Sequence, residues 1–185
     1  MRRRDIPINS CKSSIGKGFA SSRPIRDIEG FAAPRSGIET FANRGLAGID
    51  GNISTALGIA SQRKESIAII GDLAFLHDLT GLITDEEINL TIIVINNDGG
   101  GIFSTLSQRG VPGFEKVFGT PHGKDLAAIA HAMGIPAKTI STAAELKNEI
   151  QAPITGVRVV VVKTPDRESN ADVLQQLFAS IKALH

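Results

Sequence analysis

Two short polar stretches, Gly71-Asp72-Leu73 and Asn96-Asn97-Asp98-Gly99, each stand where an apolar run ends. A carboxylate and a carboxamide are hard oxygen donors, and the glycines after Asn97 let the backbone turn sharply and present a carbonyl. Mg²⁺ suits such a set, because it takes few protein ligands and shares its remaining positions with phosphate oxygens and water. Asp72 would also open a helix at residue 73, where free N–H groups attract an anion. Taken singly, Asp72 reads more readily as a helix N-cap, and Asn-Asn-Asp-Gly as a turn. Taken together they point to a metal ion carrying a diphosphate.

The elements that must hold these residues follow from the flanking pattern. Residues 66–70 and 90–95 are apolar at consecutive positions and rich in β-branched side chains, as parallel strands covered on both faces should be. Leu73 to about Ile83 supplies the crossover helix, which makes a βαβ unit. In open parallel sheets ligands lie beyond the carboxyl ends of the strands, where this unit puts Asp72 and Asn97.

Further along the chain, a short strand is expected at residues 18–20, a Pro24-led helix through Ile25 and Ile28, and a strand at 38–42. Ile53, Ala56, Leu57 and Ala60 recur at helical spacing behind Asp50, which reads as an acidic cap. Residues 104–123 form a Gly/Pro-rich loop, and a loop of that length is expected to be functional or mobile. Leu126, Ile129, Ala130 and Met133 mark a helix closed by Gly134, and Thr142 with Glu145 forms a capping box. Residues 157–162 read as the last strand. Val173, Leu174, Leu177, Phe178, Ile181 and Leu184 give a final helix turned toward the core. The alternation implies a doubly wound, mostly parallel α/β sheet of about five or six strands with helices on both faces. Residues 1–16 read as a loosely ordered lead or linker remnant, and 17–185 as one domain.

With 185 residues, 42% of them hydrophobic, the chain has material for one substantial core. Its formal charge of +1 gives no global field for nucleic acid or an anionic membrane. Cys11, the single cysteine, excludes an internal disulfide and fits a reducing compartment. No stretch reaches the ~18 apolar residues of a membrane span, and no apolar segment follows the N-terminal arginines, so the chain reads as cytoplasmic. The Gly-x-Gly pairs at 16/18 and 99/101 lack the third glycine of a dinucleotide fold, and neither a P-loop nor a Gly-x-Ser-x-Gly elbow occurs. His77, His122, His131 and His185 have no metal-binding spacing; His77 and His122 remain neighbours of the site at most, and His131 reads as a surface or satisfied core residue.

Gly71-Asp72-Leu73, separated by 22 residues from Asn96-Asn97, resembles the Gly-Asp-Gly…Asn-Asn signature of thiamine-diphosphate enzymes, with leucine in place of the last glycine. Four ordered blocks narrow the resemblance: residues 43–51 (Asn43-Arg44-Gly45 to Gly51), 71–78 (Gly71 to Asp78), 97–103 (Asn97 to Phe103) and 118–122 (Phe118-Gly-Thr-Pro-His122). From about residue 18 onward the chain is similar to the carboxy-terminal domain of 2-succinyl-5-enolpyruvyl-6-hydroxy-3-cyclohexene-1-carboxylate synthases of menaquinone biosynthesis.

The resemblance implies thiamine diphosphate as cofactor, with Mg²⁺ or Mn²⁺ ligated by Asp72, Asn97 and the Gly99 carbonyl. It places backbone of Leu73 and Ala74 at the diphosphate, Ile49 under the bent cofactor, and Ile102 and Phe103 as walls near the thiazolium. Ser22, Arg26 and Arg44 match positions facing the substrates, 2-oxoglutarate and isochorismate, whose carboxylates suit the bidentate fork of arginine. The implied chemistry is decarboxylation of 2-oxoglutarate followed by addition of the resulting carbanion to isochorismate. It further implies an amino-terminal pyrimidine-binding domain, expected to be missing from these residues, and a homo-oligomeric full enzyme; the chain alone is expected to be inactive. A sister thiamine-dependent 2-oxo acid decarboxylase or acetolactate-type synthase, or a non-catalytic diphosphate-binding or partner domain, stay open as alternatives.

Overall fold

The computed structural model describes residues 15–34 and 36–183. Cys11, Leu184, His185 and most of the expected lead, 1–14, lie outside the described residues. The lead ends sooner than expected: Ile15 and Gly16 already belong to the first strand, β1 (Ile15–Phe19), whose register against residues 65–69 makes them part of the sheet.

Five further strands join β1: β2 (Glu39–Ala42), β3 (Glu65–Gly71), β4 (Leu90–Asn96), β5 (Ala137–Ile140) and β6 (Val157–Lys163). All pairings are parallel, in the order β2-β1-β3-β4-β6-β5. Both central strands are buried on both faces, which is why their sequences show runs rather than alternation. β5 escapes the sequence reading because it is a four-residue edge strand with two exposed positions. From β1 the chain passes outward to β2, then returns across β1 to β3 and continues the other way to β4. The order therefore reverses between β1 and β3, the place where open α/β sheets form a crevice.

Among the described residues five helices connect the strands, α1 (Arg23–Phe31), α2 (Asn52–Ala60), α3 (Asp72–His77), α4 (Leu126–Ala132) and α5 (Ala143–Gln151), and a sixth, α6 (Arg167–Lys182), follows β6. One sheet face carries the larger core, in which Ala68, Ile70, Ile92 and Val94 meet Ile53 and Leu57 of α2 and Leu126 and Ala130 of α4. The other face has a smaller cluster around Ile67, Ile93 and Ile154. α6 buries only Ala171 and Leu174, whereas Val173, Leu177, Phe178 and Ile181 are exposed, Phe178 by 60%. The expectation of a fully core-facing last helix is thus corrected: only Ala171 and Leu174 of its apolar arc are covered, and the rest of the arc stays exposed.

Two local corrections share one cause. The crossover expected as a single helix to Ile83 is α3 followed by a 3₁₀ turn, Leu79–Leu82, because Asp78 interrupts it. The buried Asp78 carboxylate turns away to accept the N–H groups of Ile53 (2.7 Å) and Ser54 (3.0 Å) at the start of α2. Asp50 is exposed and does not cap α2, whose N-cap position is the left-handed Gly51. Asp78→Ala leaves two N–H groups without an acceptor in a buried setting. A loss of about 2 kcal/mol is expected, read as a fall in melting temperature of roughly 4–8 °C for a chain of this length. By contrast the Thr142–Glu145 capping box forms in full at α5.

Candidate functional site

A cleft of about 510 Å³ opens at the carboxyl ends of β1, β3 and β4. All eleven residues singled out from the sequence line it. Ser22, Arg26 and Arg44 stand on the side of β1 and the segment after β2. Asp72, Leu73 and Ala74 come from the β3–α3 junction. Asn97, Gly99, Ile102 and Phe103 follow β4, and Ile49, 41% exposed, sits at the mouth.

At the centre, Asp72 is 2% exposed and its carboxylate is held by backbone. Oδ1 accepts the Leu73 N–H at 2.7 Å, and Oδ2 accepts the N–H groups of Gly99 at 2.9 Å and Asn97 at 3.2 Å. One side chain thereby ties the end of β3 to the end of β4, joining two sites 25 residues apart. This also alters the expected helix opening, because α3 begins at Asp72 itself and the Leu73 N–H is already turned toward the carboxylate.

The Asn97 side-chain amide ends 2.8 Å from the Gly99 carbonyl oxygen and 3.3 Å from Asp72 Oδ2. Turned one way, its NH₂ donates to both oxygens; turned the other way, its own oxygen joins them as a third acceptor at one point. Ligands at about 2.1 Å on neighbouring octahedral vertices stand about 3.0 Å apart, so this spacing fits a small divalent cation. Among the described residues no cluster of three His, Cys, Asp or Glu side chains is placed to hold a metal ion. A cation here would take one carboxylate with amide and carbonyl oxygens, the donor set of a hard ion that completes its shell with phosphate and water.

Three glycines allow the turn to be this tight. A Cβ on Gly99 (φ 130°) would lie 2.1 Å from the Gly119 carbonyl oxygen, one on Gly100 2.1 Å from that of Phe118, and one on Gly101 2.2 Å from the Asn97 amide. For the first two the neighbour is the 115–123 segment, which the sequence showed as part of a Gly/Pro-rich loop and, at 118–122, as one of the blocks of the resemblance, without its place against the turn. It contains a short π-helical turn, Glu115–Gly119, and the Gly100 N–H donates to the Gly119 carbonyl at 2.7 Å. Phe118 packs on Phe103 with ring centroids 5.4 Å apart, and Arg167 at the start of α6 donates to the Gly119 carbonyl and pairs with Glu115. Asp98, left-handed at φ 59°, accepts the N–H groups of Gly123 (2.7 Å) and His122 (3.0 Å). Those bonds, the Gly123 one foremost, hold its carboxyl below the usual aspartate range.

Of the two histidines kept as possible neighbours of the site, His122 is the one that reaches it. Its ring, 9% exposed, brings Nε2 within 3.4 Å of Asp72 Oδ2. His77 lies exposed at the end of α3, and His131 accepts the Ala137 N–H, a satisfied structural role.

The rim of the cleft differs in character. Ser22 has a backbone conformation rare for a residue with a side chain (φ 73°, ψ −137°), and its carbonyl accepts Arg26 Nη1 at 2.8 Å. Arg44 lies 3.8 Å from Glu29, and nearly half its side chain is exposed. Ser21 donates to the Asn43 carbonyl and Asn52 to that of Ile49 at 2.8 Å, which fixes residues 43–49 over the opening. Leu46 there is 88% exposed.

Residues 28–164 match the model of the family described as "Thiamine pyrophosphate enzyme, C-terminal TPP binding domain". The chain is 43% identical over 171 residues to a 2-succinyl-5-enolpyruvyl-6-hydroxy-3-cyclohexene-1-carboxylate synthase of Thermobifida fusca, covering 88% of this chain and 30% of that one. It is 46% identical over 175 residues to the enzyme of that name from Nocardia farcinica, covering 89% and 31%. The chain thus spans about a third of the length of these curated relatives. In fold it is similar to benzoylformate decarboxylase from Polynucleobacter necessarius, with a TM-score of 0.63 at 20% identity over 87% of this chain and 31% of that one. With the family model running from within α1 to the end of β6, and with it nine of the eleven residues singled out from the sequence, all but Ser22 and Arg26, the chain belongs to the C-terminal TPP-binding domains of thiamine pyrophosphate enzymes.

Proposed function

We propose that this chain is the diphosphate-binding portion of a 2-succinyl-5-enolpyruvyl-6-hydroxy-3-cyclohexene-1-carboxylate synthase, acting on 2-oxoglutarate and isochorismate in menaquinone biosynthesis. The observation that supports it most is the meeting of the Asp72 carboxylate, the Gly99 carbonyl and the Asn97 amide at one point beside the β1/β3 crevice. In this reading those three hold Mg²⁺ or Mn²⁺, and backbone at Leu73 and Ala74 meets the diphosphate. Bound thiamine diphosphate supplies a thiazolium that takes up the electron pair released when a 2-oxo acid loses CO₂.

The chain's own residues orient and screen. Ile49, Ile102 and Phe103 give the apolar walls that keep water from the reacting end, and Arg26 and Arg44, with Ser22, meet substrate carboxylates at the rim. No side chain of the cleft is assigned a proton transfer. The exposed Leu46 and Ile49 at the mouth fit a cleft completed by an amino-terminal pyrimidine-binding domain and a second subunit of a homo-oligomer. Among the described residues no helix is long and apolar enough to cross a membrane.

Calorimetry with thiamine diphosphate and Mg²⁺ tests the cofactor reading, and the expected result is saturable, Mg²⁺-dependent binding. Turnover of 2-oxoglutarate with isochorismate is expected only after the amino-terminal portion is added. In that assembly Arg44→Ala should raise KM for the carboxylate-rich substrates about 10-fold or more, the scale of one lost charged bidentate contact. Unchanged kinetics in Arg44→Ala, or product from monocarboxylic 2-oxo acids alone, would favour a sister decarboxylase or synthase.

A further inference from the structure

We infer that His122, which is not among the residues lining the cleft, is a positioning residue for the metal-ligating carboxylate of Asp72. The inference rests on the proposed assignment of Asp72 as a metal ligand, and its geometry is independent of the cleft lining.

Three contacts fix His122, two through its ring and one through its main chain. Nδ1 accepts the Lys124 N–H at 3.0 Å, which leaves the proton on Nε2 and aims that N–H at Asp72 Oδ2, 3.4 Å away. The His122 main-chain N–H is held at 3.0 Å by Asp98, which lies between Asn97 and Gly99. A closed circuit results: the middle of the metal-binding turn grips the backbone of His122, and the ring of His122 returns to the carboxylate at the end of the neighbouring strand. With Oδ1 already on the Leu73 N–H, the added donor on Oδ2 opposes rotation of the carboxylate about its Cβ–Cγ bond. Ligating carboxylates are commonly oriented by such partners, whose loss costs about 10–100-fold in metal affinity.

The test is Mn²⁺ titration of the 185-residue chain with thiamine diphosphate present, followed by the electron paramagnetic resonance of free and bound Mn²⁺. Leucine keeps the volume of His122 without a donor, whereas glutamine places an N–H near the position of Nε2. Expected are weaker binding in His122→Leu by about 10-fold or more, with a broadened bound spectrum, and affinity within about threefold of wild type in His122→Gln. Melting curves show whether both variants fold; where His122→Leu melts early, His122→Asn, too short to reach Asp72, replaces it. Wild-type affinity in the donor-less variant, or equal weakening in His122→Gln, overturns the inference and leaves the cofactor reading standing. Wild type that binds no Mn²⁺ with thiamine diphosphate overturns both.

Discussion

Asp72→Ala is expected to abolish Mg²⁺-dependent binding of thiamine diphosphate at concentrations that saturate the wild-type chain, and to lower its melting temperature by about 4–12 °C. Both effects come from one buried carboxylate. Its removal deletes the only charged ligand of the proposed cation site, and it orphans the N–H groups of Leu73, Asn97 and Gly99. Donors left without an acceptor in a setting this buried cost about 2–3 kcal/mol in sum, which converts to that shift at about 2–4 °C per kcal/mol. Asp72→Asn separates the two roles, since the amide keeps the shape and one acceptor but carries no charge. It should recover most of the thermal stability and little of the binding. Calorimetry that finds Asp72→Ala within about threefold of wild type would sink the assignment of this residue to the metal.

Gly100→Ala carries the second large effect, and it acts through backbone alone. The added methyl would stand 2.1 Å from the Phe118 carbonyl oxygen, and the Gly100 N–H is bonded to Gly119 in the same contact. No rotamer relieves a clash with main chain, so the 115–123 segment must separate from the turn. A loss of about 3 kcal/mol is expected, together with at least about 10-fold weaker Mn²⁺ binding as Asn97 and Gly99 shift. Gly110→Ala serves as the comparison, because that glycine, although left-handed, has open space around it. Its cost should be confined to the backbone strain of a positive φ, about 1 kcal/mol. Equal metal affinity in Gly100→Ala and wild type would show that the 115–123 segment does not support the turn.

Much of the molecule was legible because one periodicity governs it. Two-faced burial of β3 and β4 writes continuous apolar runs, and a strand followed at once by Gly-Asp or Asn-Asn puts those residues at the crevice. Capping was legible where it is local, as at Thr142 and Glu145, and misleading where it is not. The start of α2 is capped by Asp78, 25 residues further along, and Asp50 beside it is a bystander. The apolar arc of α6 was equally clear in the sequence, but periodicity states which side of a helix is greasy and not how much core awaits it.

By itself the sequence determined the parallel α/β class, the strand ends that carry Asp72 and Asn97, and the family to which the blocks around them belong. These depend on residue type and on spacing within a few turns of chain. Only the tertiary structure decided that the 115–123 segment backs the turn from Asn97 to Gly101, that His122 reaches Asp72, and that Asp78 serves a helix it does not belong to. Such contacts arise where segments distant along the chain are pressed together by the burial of the sheet, and their partners are fixed by three-dimensional proximity that no local spacing encodes.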